Sequence, residues 1–121
     1  MHELSIAIGL VEAAEAEMEK LAGAQVLAIH LKLGRLSGVA REALEFSYEI
    51  ACQDTPLKGS RLVIEDVPVL IDCPACKAPR EVVSLQWLHC AVCGAAAGEV
   101  LQGRELQVAA LEIAENRDPQ I

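Results

Sequence analysis

The chain has 121 residues, 53% of them hydrophobic but only 2% aromatic, so one domain with an aliphatic core of Leu, Val, Ile and Ala is expected. A formal net charge of −8 repels phosphate backbones and argues against general nucleic-acid binding. No apolar run is long enough to span a membrane, and the start Met1-His2-Glu3 has no basic segment ahead of an apolar one, so export is not expected.

Residues 4–22 read as an amphipathic helix, with Leu4, Ala7, Ile8, Val11, Ala14, Met18 and Leu21 at steps of three and four. Glu12, Glu15, Glu17 and Glu19 fall mostly on the other face, which reads as a solvated surface, and Gly23 is a reasonable stop. Residues 25–33 alternate as a half-buried strand: Leu27, Ile29, Leu31 and Leu33 on one side, Ala28, His30 and Lys32 on the other. His30 on that mixed face is a poor candidate for catalysis. After the loop Gly34-Arg-Leu-Ser-Gly38, a second helix is predicted over 40–52, with Ala40, Ala43, Leu44, Ser47, Ile50 and Ala51 near one face and Phe46 and Tyr48 on its flanks. Cys52 has no metal-spaced neighbour and reads as a small apolar residue. A strand over 61–67 follows, and Pro68 ends it or marks an edge.

Next come Cys73-Pro-Ala-Cys76 and Cys90-Ala-Val-Cys93, separated by thirteen residues. A two-residue gap lets the chain turn tightly enough for two sulfurs to meet one ion, and the second pair completes a tetrahedron. Closed four-sulfur sites suit zinc or iron; zinc is favoured, with rubredoxin-type iron and a redox dithiol pair as the other readings. Such a site is structural and has no open position for chemistry. Pro74 stiffens the first knuckle and Gly94 relieves strain after the second. Four cysteines in metal spacing, with Cys52 left over, fit a reducing cytoplasm better than a disulfide scaffold, so a cytoplasmic location is expected. Short ribbon strands are expected at Val82, Val83 and Leu85 and at Val100 and Leu101, with a turn over Gly94-Ala-Ala-Ala-Gly98. Residues 105–114 alternate again, and a strand this long and apolar should return to pair with the first part of the chain. The expected fold is α+β, two helices and a mixed sheet, discontinuous over 1–71 and 104–121, with a four-cysteine ribbon inserted at 72–103. The polar tail 115–121 is expected to fray.

A histidine at position 2 is a second chemical signal. The Met1 amine, the His2 amide and the His2 imidazole form fused five- and six-membered chelate rings. Nickel(II) or copper(II) can displace the amide proton and favour such planar nitrogen sites. A bulky second residue normally leaves Met1 in place. One donor is then missing from a square plane, which the Glu3 amide, a water or a second histidine could supply.

Met1-His2-Glu3-Leu-Ser, Gly34-Arg-Leu-Ser-Gly38-Val, Glu42-Ala-Leu-Glu-Phe46, the two cysteine pairs and Gly103-Arg-Glu-Leu-Gln-Val108 together resemble the HypA/HybF family of nickel metallochaperones, along almost the whole chain. The resemblance implies a nickel domain on the helices and sheet, with Met1 and His2 among the nickel ligands and Glu3 also matching. It implies a structural zinc held by Cys73, Cys76, Cys90 and Cys93. It further implies delivery of Ni(II) to the large subunit of [NiFe]-hydrogenase, with the HypB GTPase as usual partner; some members also serve urease maturation. Some relatives carry histidines beside the zinc loops. Here only His89, just before Cys90, stands in such a place; it could complete the nickel plane or support zinc, and a surface role is favoured. No nucleophile–base pair and no phosphate loop of the G-x-x-x-x-G-K-[ST] type is present, so a binding protein is expected, not an enzyme. The competing readings are a zinc-ribbon adaptor and a thiol oxidoreductase.

Overall fold

The computed structural model of the chain describes residues 2–114; Met1 and the tail 115–121 lie outside the described residues. The elements run α1 (Glu3–Lys20), β1 (Gln25–Gly34), α2 (Arg41–Cys52), β2 (Arg61–Val67), β3 (Leu70–Cys73), β4 (Ala78–Ser84), β5 (Trp87–Cys90), β6 (Val100–Gln102) and β7 (Leu106–Ala114). The α+β class read from the sequence is the class observed. One sheet has the order β2-β1-β7 and the other β5-β4-β3-β6. The last long strand therefore does return to β1. β3 and β5 have no counterpart among the strands expected from the sequence.

The chain divides into two compact units. The first comprises Met1–Leu31, Val39–Ile64 and Val108–Ile121; the second comprises Lys32–Gly38 and Glu65–Gln107.

In the first unit α1 packs on α2. α1 buries Ala7, Val11, Ala14 and Met18, one stripe at helical spacing, whereas Leu4, Ile8 and Leu21 stay exposed. It ends two residues before the expected point because Ala22 takes a left-handed φ of 57° and Gly23 follows at 82°. The Gly23 N–H donates to the Met18 carbonyl, closing the end as a left-handed cap does. α2 corrects the expected phase. Its buried residues are Leu44, Tyr48 and Cys52, and Phe46 and Ile50 face solvent. Tyr48 can be buried because its hydroxyl has a partner: it lies 2.7 Å from Ser60 Oγ, which in turn donates to the Leu57 carbonyl. Burial of the ring pushes the Tyr48 hydroxyl's pKa upward, keeping it neutral. β1 also departs from simple alternation. Val26 and Ala28 are buried and Leu27 is exposed, so the first half of the strand is out of phase with the buried Ile29, Leu31 and Leu33.

The second unit has its own core of Val69, Ile71, Cys73 and Cys90, with Leu36, Val82, Ala97 and Val100 packed against it. β3 pairs antiparallel with β4, Cys73 opposite Ala78, and with β6 on its other edge. The loop after β1 is held here. Gly34 donates to the Glu105 carbonyl and Leu36 to the Gly103 carbonyl, each at 2.7 Å. A Cβ on Gly34 would collide with the carbonyl oxygen of Gly103. Gly103 itself has φ 122°, and a Cβ there would sit 2.9 Å from Val69 Cγ2. Gly34 and Gly103, 69 residues apart in sequence, thus form one backbone-to-backbone joint.

Candidate metal centres

The four cysteines converge. β3 delivers Cys73 at its end and β5 delivers Cys90 at its end, and each strand then turns through a tight knuckle carrying the second cysteine. The knuckles share one geometry. Lys77 N–H donates to the Cys73 carbonyl at 2.7 Å, and Gly94 N–H to the Cys90 carbonyl at 2.8 Å. Both closing residues are left-handed, Lys77 at φ 55° and Gly94 at φ 79°. Glycine takes that conformation without steric cost, as anticipated for Gly94; in the first knuckle a lysine takes it.

All four sulfurs lie within 4.8 Å of one another. Cys73 and Cys93 are 3.5 Å apart and Cys76 and Cys90 are 3.9 Å apart, far beyond a disulfide bond, and all are free thiols. Sulfurs at ~2.3 Å from a tetrahedral zinc stand ~3.8 Å apart, so the cluster fits that ion. The backbone is arranged for thiolate too. Cys76 N–H points at Cys73 Sγ, and the Val92 and Cys93 N–H groups point at Cys90 Sγ, at 3.3–3.4 Å. Desolvation opposes ionisation of Cys90, but the amides of Cys93 and Val92 outweigh it and bring its pKa down to about 6. Cys93 is pushed up to about 12: the Ala95 amide opposes the rise, and the neighbouring thiols and burial outweigh it. Donors are thus preset on the deeper sulfur, and Cys93 lies at the exposed rim.

Two neighbours were not assigned a role from sequence. Arg80 lies beside Cys76, whose sulfur raises the guanidinium's pKa, so a fixed positive charge faces the thiols. His89 is half-buried rather than on the surface. Its ring stacks on Trp87 with centroids 4.0 Å apart and planes 7° from parallel, and its buried Nδ1 has no hydrogen-bond partner among the described residues. His89 adjoins Cys90 in sequence, whereas Arg80 is set opposite Ile71 by the pairing of β3 with β4, which separation along the chain does not reveal.

At the other candidate centre, His2 is the exposed residue capping α1, with no side-chain hydrogen bond of its own as a cap. Its carbonyl accepts from Ile6 N–H, so the helix begins with Glu3. The first amides of a helix have no intrahelical acceptor, and the Glu3 N–H instead meets its own carboxylate. The Glu3 carboxylate is engaged elsewhere: it accepts from Ala40 N–H at 3.1 Å, tying the start of α1 to the start of α2. That bond, then its own backbone N–H, holds the Glu3 carboxyl below its ordinary pKa. Met1 lies outside the described residues. The remaining candidates stand apart. His30 Nε2 is 3.2 Å from Glu112 Oε1, and Arg61 is 3.5 Å from the other oxygen, an exposed cross-strand cluster. Cys52 is buried beside Ser60.

A two-helix α+β chain carrying a closed four-thiol ribbon is a metal-binding protein. The family model described as hydrogenase/urease nickel incorporation, metallochaperone HypA matches residues 1–113, and the chain belongs to this family. It is 45% identical over 112 residues to the hydrogenase maturation factor HypA of Roseiflexus sp. (strain RS-1), covering 93% of this chain and 91% of that one. The fold is like two solved structures. The solution structure of the Ni metallochaperone HypA from Helicobacter pylori has TM-score 0.61 and 23% identity, with 93% and 97% of the two chains covered. A second, the solution structure of HypA protein, has TM-score 0.70 and 21% identity, with 96% and 98% covered. Among the described residues no helix is long and apolar enough to cross a membrane.

Proposed function

We propose that the chain is a nickel metallochaperone: it binds Ni(II) through Met1, His2 and Glu3 and hands it to the large subunit of [NiFe]-hydrogenase. The observation that carries this reading is an exposed His2 at a helix start, in a chain of the nickel-incorporation family. The Met1 amine, the His2 amide and imidazole and the Glu3 amide supply four nitrogens for a square plane. Glu3 takes part through its backbone, because its carboxylate is committed to Ala40. A terminal site suits transfer, since an incoming ligand replaces donors one at a time and no buried contact breaks.

Cys73, Cys76, Cys90 and Cys93 hold a structural zinc, which closes the ribbon 72–103 inserted in the nickel domain of 1–71 and 104–121. The protein works in the cytoplasm, without catalysing a reaction, alongside the HypB GTPase; urease maturation proteins are further recipients to test.

Titration of untagged protein with nickel decides the matter. His2→Ala abolishes tight nickel binding and leaves zinc content and helicity intact. Acidification releases nickel, because protons compete for the same nitrogens. Unchanged affinity and a planar spectrum in His2→Ala place the nickel elsewhere. Zinc alone in the unmodified protein favours the adaptor reading.

A further inference from the structure

α2 carries an apolar stripe that stays exposed among the described residues of the first unit. Ala43, Phe46 and Ile50 follow one another at steps of three and four on its outer side, opposite the buried Leu44, Tyr48 and Cys52. Phe46, the sole phenylalanine of the chain, is 64% exposed and Ile50 47%. A phenylalanine left in water forgoes the gain of burial, and aromatic side chains are enriched at protein interfaces. Acidic side chains border the stripe. Glu42 stands one turn before Phe46 and Glu49 one turn after, both exposed. The stripe also begins at the proposed nickel end, because Glu3 binds the amide of Ala40, the residue capping α2.

We propose that this face of α2 is the docking surface for a protein that takes part in nickel transfer, whose complementary site is an apolar pocket rimmed by lysine or arginine. This rests on the metallochaperone reading. The pocket receives Phe46 and Ile50, and the basic rim meets Glu42 and Glu49. A second copy of this chain is the wrong occupant. Two-fold pairing of the stripe with itself sets the same glutamates against each other in a chain of net charge −8. Docking here brings the partner to the start of α1, where His2 lies.

The test uses the full chain with a native N-terminus, and purified HypB GTPase and immature hydrogenase large subunit as probes. At least one probe should bind the unmodified chain. Phe46→Asp should weaken that binding by on the order of tenfold or more. The pair Glu42→Lys with Glu49→Lys should weaken it at low salt and flatten its salt dependence. Phe46→Leu should retain most of it. Helicity, zinc content and nickel stoichiometry should not change in any variant. Binding of neither probe to the unmodified chain overturns the proposal, as does undiminished binding by Phe46→Asp. So does self-association of the unmodified chain that Phe46→Asp abolishes, which would make a second copy the occupant. Failure of nickel uptake by unmodified protein is a separate result: it defeats the metallochaperone reading, while the probes still decide the surface.

Discussion

Single residues do three kinds of work in this chain. The cysteines carry donor atoms, Glu3 fixes the start of one helix to another, and Gly34 and Gly103 allow two backbones to touch. The glycine joint is the least forgiving. Any side chain at Gly34 meets the Gly103 carbonyl and the Glu105 amide, both of them backbone, so no rotamer relieves the clash. Gly34→Ala is expected to cost about 3 kcal/mol of unfolding free energy, through overpacking and the loss of the paired hydrogen bonds. Urea denaturation reads this directly, and an unchanged midpoint shows that the loop can open without loss. Gly59 provides a contrast: nothing lies within 4 Å of a Cβ built there, so only its left-handed φ of 90° opposes substitution.

At the scale of elements, α2 is held by a buried phenol as much as by apolar contact. Tyr48 donates to Ser60, whose hydroxyl passes the bond on to the Leu57 carbonyl, pinning the helix to the turn before β2. Tyr48→Phe keeps the ring and removes the bond, for a loss of about 1 kcal/mol at neutral pH. The phenol's pKa is raised on folding, so its contribution is complete below the unfolded value of ~10 and is lost as pH rises above it. Stability of the parent should therefore fall more steeply above that pH than stability of Tyr48→Phe. Parallel alkaline profiles would remove the phenol from the account. The same residue shows what sequence could and could not say. Local rules reached the existence and order of the helices, β2 and β7, and the metal knuckles, because periodicity and cysteine spacing are short-range properties. They misplaced the phase of α2, since Leu44-Ser47-Ala51 and Leu44-Tyr48-Cys52 are both plausible helical stripes. What selects the second is Ser60, eight residues beyond the helix. β1 was misread in its first half, where Val26 and Ala28 rather than Leu27 are buried, because a single strict alternation cannot register a change of phase between Ala28 and Ile29. Arg80 escaped assignment because its nearness to the sulfurs depends on strand pairing.

Across the whole molecule, two compact units each have an aliphatic interior of their own, but the second has less to hold it. Its buried core is four residues, two of which are the thiols Cys73 and Cys90. Those sulfurs are therefore both ligands and core. A metal bridging β3, β5 and their two knuckles replaces the interior that so small a ribbon cannot supply. The first unit has Val26, Ala28, Ile29, Leu31, Leu44, Tyr48 and Leu57 buried without any help from the cluster. Removing zinc with a strong chelator should thus act unevenly. Hydrogen exchange should accelerate at the amides that close the knuckles, those of Lys77, Cys90 and Gly94, and along β4 and β5. The amides of α1 and α2 should keep their protection, and nickel added after the chelator is withdrawn should still bind at the proposed N-terminal site. Cys76→Ala should reproduce the chelated pattern. A single cooperative loss of protection over both units, on chelation or in Cys76→Ala, would show that the zinc holds the entire chain rather than the ribbon.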